Sequence, residues 1–350
     1  MIAITGTGAV SAAGWGVDAL MTALENGVRS EAAEISRERK NGPPVVTPVL
    51  KVPAAPPTLP KSPRLRRVSP ISKFAVAAAV EALGPDRIAK VASGETRLGV
   101  LCTLLNGCVN YSNRFFGEVL ADPSVASPIL FPETVFNAPS SHLSSLFGST
   151  APNDTLLGDS AEVFTALEIA TEWLLRGDCD AVLVVSSEEL DWLSAEALGL
   201  YSKDLIPSEG AAAVLLEPGN GGPHLIAVPD PVSVAPGCDR AAVIRKVCAA
   251  TGATDDGQTL LADSRAGSTR LDRAENEFFA GWSGPRMSPK HVLGESFGAA
   301  AGLQLVAAVE EVRRGKAAKA LVSVLGGNEQ AAACLIAGSS RGEYGGSPGN

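Results

Sequence analysis

The sequence predicts an α/β fold made of two similar halves, on three observations. Residues 161–176 (AEVFTALEIATEWLLR) and 298–314 (GAAAGLQLVAAVEEVRR) are apolar on nearly every face, so each helix should sit inside the protein. Each ends at Arg-Gly and leads into a short apolar run, Asp180–Ser186 and Ala320–Val324, of the kind a strand buried on both faces requires. Laying Arg176-Gly177 on Arg314-Gly315 gives a constant offset of 138, which also pairs Leu167 with Leu305, Ala170 with Ala308, Leu183 with Leu321 and Val184 with Val322. A further strand follows each unit, Gly210–Glu217 and Gln330–Ala337. The halves therefore divide as residues 1–218 and 219–350, with one buried helix from each.

Ahead of the first unit the elements read in the order strand, helix, loop, helix, strand. Residues 42–63 hold eight prolines, which predicts a surface loop that neither helix nor strand runs through. Ile71–Leu83 then reads as an Ala-rich amphipathic helix and Arg97–Leu104 as a buried strand. The Gly6-x-Gly8 spacing is not a dinucleotide fingerprint, because no βαβ unit with an acidic strand end follows it.

Composition bounds the function. The chain has 350 residues, 45% of them hydrophobic and 19% charged, which excludes general disorder. Its net charge of −9 gives no case for nucleic acid or an anionic membrane as partner. No long apolar run and no basic leader are present, so a cytoplasmic protein is expected. Six cysteines without a CxxC pair and only three histidines predict neither a disulfide scaffold nor a metal site, and no cofactor is implied. The cysteines fall mainly in apolar settings and are expected in the core.

The polar pair Asp159-Ser160 opens the first apolar helix. Ser160 thus falls at the positive end of a helix dipole, where backbone N–H groups can hold an oxyanion and a nucleophile is well placed. The competing local reading is an Asp159 N-cap, with Glu162 completing a capping box.

Residues 155–185 (TLLGDSAEVFTALEIATEWLLRGDCDAVLVV) resemble the nucleophile segment of the β-ketoacyl synthases, the condensing enzymes of fatty-acid and polyketide synthesis. Ile2–Gly16 and Ser72–Leu83 are similar to that family's opening strand and first long helix. Ser127–Gly148 is similar to its P…P…N-x-x-A-x-H segment, and Glu209–Glu217 to its E-G-A-x-x-x-x-L-E strand. The resemblance implies a thiolase-like duplicated five-layer αβαβα fold, usually dimeric.

It also implies a Cys and two His for condensation, and all three positions depart here. Ser160 stands at the Cys position. In residues 261–276 (LADSRAGSTRLDRAEN), Arg265 stands at the first His position. In residues 288–302 (SPKHVLGESFGAAAG), Lys290 and Gly294 match while Glu295 replaces the second His. Leu325 stands for the gating Phe in the turn Val324–Asn328. A serine without a base is a weak nucleophile, and a carboxylate repels a developing enolate, so ordinary decarboxylative condensation is not expected.

Two functions remain. One is a non-condensing subunit, similar to the chain length factors of type II polyketide and aryl-polyene synthases, dimerising with a competent ketosynthase or with itself and serving acyl-carrier-protein-bound chains. The other is a Ser160 acyltransferase or hydrolase acting on acyl-carrier-protein thioesters, with Lys290 or Glu295 as base or orienter. The simultaneous loss of all three groups favours the first. The basic run Lys61–Arg67 is either a solvated helix entry or a dock for an acidic carrier protein, and His142 is expected to be structural.

Overall fold

Glycine decides how the first strand can be covered. In β1 (Ile2–Ser11) a Cβ on Gly6 or Gly8 would lie 1.9 Å from the carbonyl oxygen of Ala82 or Ala78, so only glycine lets the helix α2 (Pro70–Ala92) lie this close. The computed structural model describes residues 1–56, 63–235, 237–327 and 330–339. Lys61 and Ser62 of the basic run, residues 57–62 of the proline-rich stretch and Asn328 of the expected turn lie outside the described residues.

Between β1 and α2 come β2 (Gly14–Trp15), α1 (Val17–Asn26), β3 (Ala33–Arg37) and β4 (Val45–Val49). Then follow β5 (Leu98–Leu104), α3 (Val109–Ala121), α4 (Ala138–Phe147), β6 (Asn153–Leu157), α5 (Glu162–Arg176), β7 (Ala181–Glu188), α6 (Trp192–Tyr201) and β8 (Gly210–Pro218). The remainder is β9 (His224–Ala227), β10 (Val232–Ser233), α7 (Arg240–Ala250), β11 (Leu260–Ala262), α8 (Arg273–Phe278), β12 (Arg286–Met287), α9 (Lys290–Leu293), α10 (Ala300–Arg313), β13 (Lys319–Leu325) and β14 (Gln330–Ala337).

The main sheet runs β12-β11-β13-β14-β9-β1-β8-β7-β5-β6 and reads alike from its two ends. Three parallel strands (β6, β5, β7 or β12, β11, β13) are followed by two antiparallel ones (β8, β1 or β14, β9), and β1 pairs antiparallel with β9 at the centre. Residue 218, the expected meeting point, is the last of β8, and the sheet continues across it.

Helices α5 and α10 contact strands from both ends of this sheet, while α2 and α4 cover the first end and α7, with α8 packed on it, the second. The five layers enclose three main apolar clusters: one around α5 and α10, one beneath α2 and one beneath α7. Of α10 only Glu311 and Arg313 reach solvent.

The two central helices differ more than the repeat predicts. Glu168, Glu172 and Arg176 recur at four-residue spacing in α5 and hold that stripe, with the 75% exposed Leu175, in solvent. The helix expected to stop at Leu83 does so: Gly84 leaves helical geometry (φ 69°, ψ 166°), and a second helical stretch from Pro85 to Ala92 completes the span labelled α2.

One expectation is overturned. A strand does pass through the proline-rich stretch, since β4 pairs with β3 in a separate two-stranded ribbon, with Pro48 opposite Glu34. Such a ribbon consists only of edge strands, where a residue without an N–H can face outward and lose no ladder bond. Arg37 fixes the ribbon to α6 by two bonds to Glu196 (2.7 and 2.8 Å) and by stacking 4.8 Å over Trp192.

Gly8→Ala is expected to cost about 1–3 kcal/mol, because the new methyl meets backbone that cannot yield. Gly117→Ala, in α3 with open space around the site, should be neutral or stabilise by up to about 1 kcal/mol. Urea unfolding of the two variants checks both, and equal stability would contradict the close approach of β1 and α2.

Candidate functional site

The turn entering α5 is built by Asp159. Its Oδ1 accepts the Ala161 N–H at 2.9 Å and its carbonyl accepts the Glu162 N–H at 3.1 Å, which tightens the chain so that Ser160 sits buried directly ahead of the helix. The expected capping box is replaced: Glu162 turns toward β14, where Gln330 Nε2 donates to it at 3.4 Å. A Cβ on Gly326 would fall 2.0 Å from Asp159 Oδ2, so the end of β13 closes directly on this carboxylate.

The facing wall comes from α9. Lys290, 4% exposed, donates from Nζ to Glu295 Oε2 at 2.7 Å, and the Phe297 N–H donates to Glu295 Oε1 at 3.0 Å, so both oxygens of Glu295 are engaged. Gly294 (φ 79°) makes the turn between the paired residues. Backbone bonds of 2.9 and 2.8 Å join Glu295 to Ile206 and Ser208. Phe297 holds a left-handed φ of 49°, a strained setting for a bulky residue. A cavity of about 240 Å³ has Ser160, Lys290 and Glu295 together in its wall, with apolar groups such as Leu198, Leu205 and Phe297.

Arg265 does not take the place expected for it. It turns away from the cavity to bond Asp263, Asn276 and Ser288, each at 3.0 Å, whereas its neighbours Ser264 and Ala266 line the wall. Side chains alternate in extended chain, so a one-residue difference in register reverses which of them faces inward. Among the described residues no histidine lines the cavity: His142 bonds Glu133 at 2.9 Å, His224 bonds Asn220 at 3.2 Å and His291 is exposed.

Two buried acids escaped the sequence reading. Glu275 holds the Ser264 N–H and hydroxyl at 3.0 and 2.9 Å, and burial together with the nearby Asp263 raises its carboxyl to about 7. The Asp272-x-x-Glu275 spacing was its available signal. Glu188, at the end of β7, accepts the backbone N–H groups of Leu105 and Asn106, and burial raises it to about 8. Consecutive acids ending an apolar strand marked that position.

The electrostatics limit the chemistry. Burial pulls the Lys290 ammonium down, but Glu295, Glu275 and Asp159 outweigh it and the pKa ends above its usual value. Lys290 is therefore a cation and not a proton acceptor, both Glu295 oxygens already accept a bond, and among the described residues no hydrogen bond joins either side chain to Ser160. Burial likewise pushes the Cys102 and Cys248 thiols up to about 12, so neither is a thiolate at neutral pH. Among the described residues no three His, Cys, Asp or Glu side chains come together as a metal site, and no helix is long and apolar enough to cross a membrane.

A family model described as "Beta-ketoacyl synthase, N-terminal domain" matches residues 1–220. No curated protein matches the sequence. Among solved structures, the ishigamide ketosynthase/chain length factor is similar at 18% identity and TM-score 0.79, over 96% of this chain and 99% of that one. A ketosynthase (ApeO) in complex with its chain length factor (ApeC) from Xenorhabdus doucetiae is similar at 16% identity and TM-score 0.80, over 96% and 98%. AntDE:AntF, a type II acyl-carrier protein in complex with its ketosynthase, is similar at 14% identity and TM-score 0.76, over 96% and 98%. At these identities the likeness establishes the thiolase-like fold.

Lys290→Met leaves the partly buried Glu295 without its partner and is expected to cost about 3 kcal/mol, most of it regained on adding Glu295→Gln; denaturant unfolding of the single and double variants reads this. A second expectation concerns pH. A buried acid whose folded pKa is raised contributes fully below its unfolded value near 4.5 and loses that contribution as pH rises through its folded value. Stability should thus fall between about pH 5 and 8, by at most about 1.4 kcal/mol per pH unit for each such group. Glu188→Gln should flatten this slope in unfolding measured across that range.

Proposed function

Because the chain belongs to the β-ketoacyl synthase family, we propose that it is a non-condensing subunit of chain-length-factor type, shaping the acyl chamber of a competent ketosynthase in fatty-acid, polyketide or aryl-polyene synthesis. The carrying observation is the Lys290–Glu295 pair, 2.7 Å apart at the cavity wall, where the resemblance places a condensing histidine. A closed ion pair supplies neither a base for Ser160 nor a neutral donor for an enolate. For the same reason a Ser160 acyltransferase is the weaker reading.

The surface supports a partner. Among the described residues strand β6 is an edge strand bonded only to β5, and Leu157 at its end is 54% exposed. Phe116, Leu120, Ile129, Phe131 and Phe136, from the segments just before it, are also exposed. Apolar side chains beside an unpaired edge suit another subunit. The likeness to the ApeO–ApeC complex favours a cysteine-bearing ketosynthase over a second copy of this chain, and AntDE:AntF favours an acyl carrier protein as the source of chains. The proposed setting is the cytoplasm, with residues 1–218 and 219–350 as two halves of one chamber.

Co-expression with a ketosynthase encoded beside it should give a stable one-to-one complex on gel filtration. Phe136→Arg with Leu157→Arg should abolish that complex without lowering the melting temperature. The chain alone should release no CO₂ from malonyl thioesters and form no acyl adduct at Ser160 by intact mass. Condensation by the lone chain that Ser160→Ala removes would overturn the reading.

A further inference from the structure

The outer edge of β6 is not open along its whole length. Two backbone bonds to its neighbour, from the Val100 N–H to Pro152 at 3.0 Å and from the Gly158 N–H to Leu104 at 3.1 Å, fix the phase of the strand. Residues 152, 154, 156 and 158 thus turn their backbone groups to β5, and Asn153, Thr155 and Leu157 turn theirs outward. The middle outward donor is already taken. Asp154 Oδ1 accepts the Thr155 N–H at 2.7 Å, so a side chain of the strand itself covers the bond that an added strand would make.

The other face of Asp154's position is equally informative. Thr155 shares a hydrogen bond with the Ser140 hydroxyl at 2.9 Å, and Asn153 Nδ2 donates to the Ser140 carbonyl at 3.1 Å, so both side chains lie on the α4 side. Alternation puts Asp154 and Leu156 on the opposite side, where Leu156 packs on the cluster around α5. Asp154 stays exposed there and has no cation beside it among the described residues.

A second copy of the chain would add to β6 about a two-fold axis, which runs the two strands antiparallel and keeps each face of the sheet on its own side. Asp154 then stands opposite Asp154, Leu156 or Gly158 of the second copy. None of these is a cation. Pairing would take water from the carboxylate and break its bond to Thr155 with nothing to offset either loss.

We infer that Asp154 selects what completes this edge: it refuses a second copy of the chain and fits an antiparallel strand of a different subunit that carries Lys or Arg opposite it. Such a cation draws the carboxylate off the Thr155 N–H and frees that donor for the ladder. The inference rests on the preceding reading in placing the partner at β6, and it adds the chemistry by which that partner is chosen.

Sedimentation equilibrium of the full chain tests the refusal with no partner present. The unaltered chain should remain monomeric, while Asp154→Thr should self-associate about tenfold more tightly or better, at an unchanged melting temperature. Adding Thr155→Pro, which removes an outward N–H and no bond to β5, should return that variant to the monomer. Asp154→Thr as monomeric as the unaltered chain, a dimer that Thr155→Pro does not dissolve, or self-association of the unaltered chain that Thr155→Pro abolishes would each overturn the inference. Titration with the ketosynthase encoded beside it reads the attraction. Asp154→Lys should bind about tenfold more weakly or worse, and binding as tight as that of the unaltered chain sinks this inference alone. Absence of any ketosynthase complex, with self-association as expected, sinks only the partner role, because the refusal is read on the lone chain.

Discussion

The arrangement depends on how near α10 can lie to the first half of the sheet. A Cβ on Gly302 would fall 1.8 Å from Ser186 Oγ, and one on Gly298 would fall 2.7 Å from Glu188 Oε1 and 3.1 Å from the Leu104 backbone. Small residues along this line let the second half's buried helix rest on strands of the first half, and both ends of the sheet then share one core. The closeness has a chemical result. It brings the chain after α9, with Glu295 and Phe297, into the same cavity as Ser160 ahead of α5.

Much of this was legible in sequence because it rests on periodicity and glycine. The starts of α5 and α10 differ by the offset of 138 read from Arg176 and Arg314, and β7 and β13 follow in step. What was not legible depends on direction. Arg265 matches a motif position yet its side chain leaves the cavity, because a linear motif records order and not which side an extended chain presents. Pro48 argued against a strand, but the rule concerns central strands, and β4 is an edge. Lys290 and Glu295 could be suspected of pairing, while the engagement of both Glu295 oxygens needed Phe297, whose backbone no propensity would place at positive φ.

The buried acids belong together physically. Glu188, the last residue of β7, and Glu189 beside it spend their oxygens on N–H groups of the loop after β5 (Leu105, Asn106) and of the first turns of α3 (Asn110) and α2 (Ile71). Glu209 does the same for Val52 and Leu190. These carboxyl groups satisfy backbone that would otherwise be stranded inside, and burial raises all three above the ordinary carboxyl pKa. The loops around the cavity are thus held by side chains, which leaves its shape free to be set by the apolar residues.

Strand β6 and the aromatic residues before it leave this chain with an unfinished border. A copy made in excess of whatever completes that border displays what chaperones and proteases recognise, and it is also what drives nonspecific clumping. On the partner role proposed above, its cellular abundance would follow the supply of the mate rather than its own rate of synthesis. Matched translation of the two messages would be a requirement inscribed in a surface.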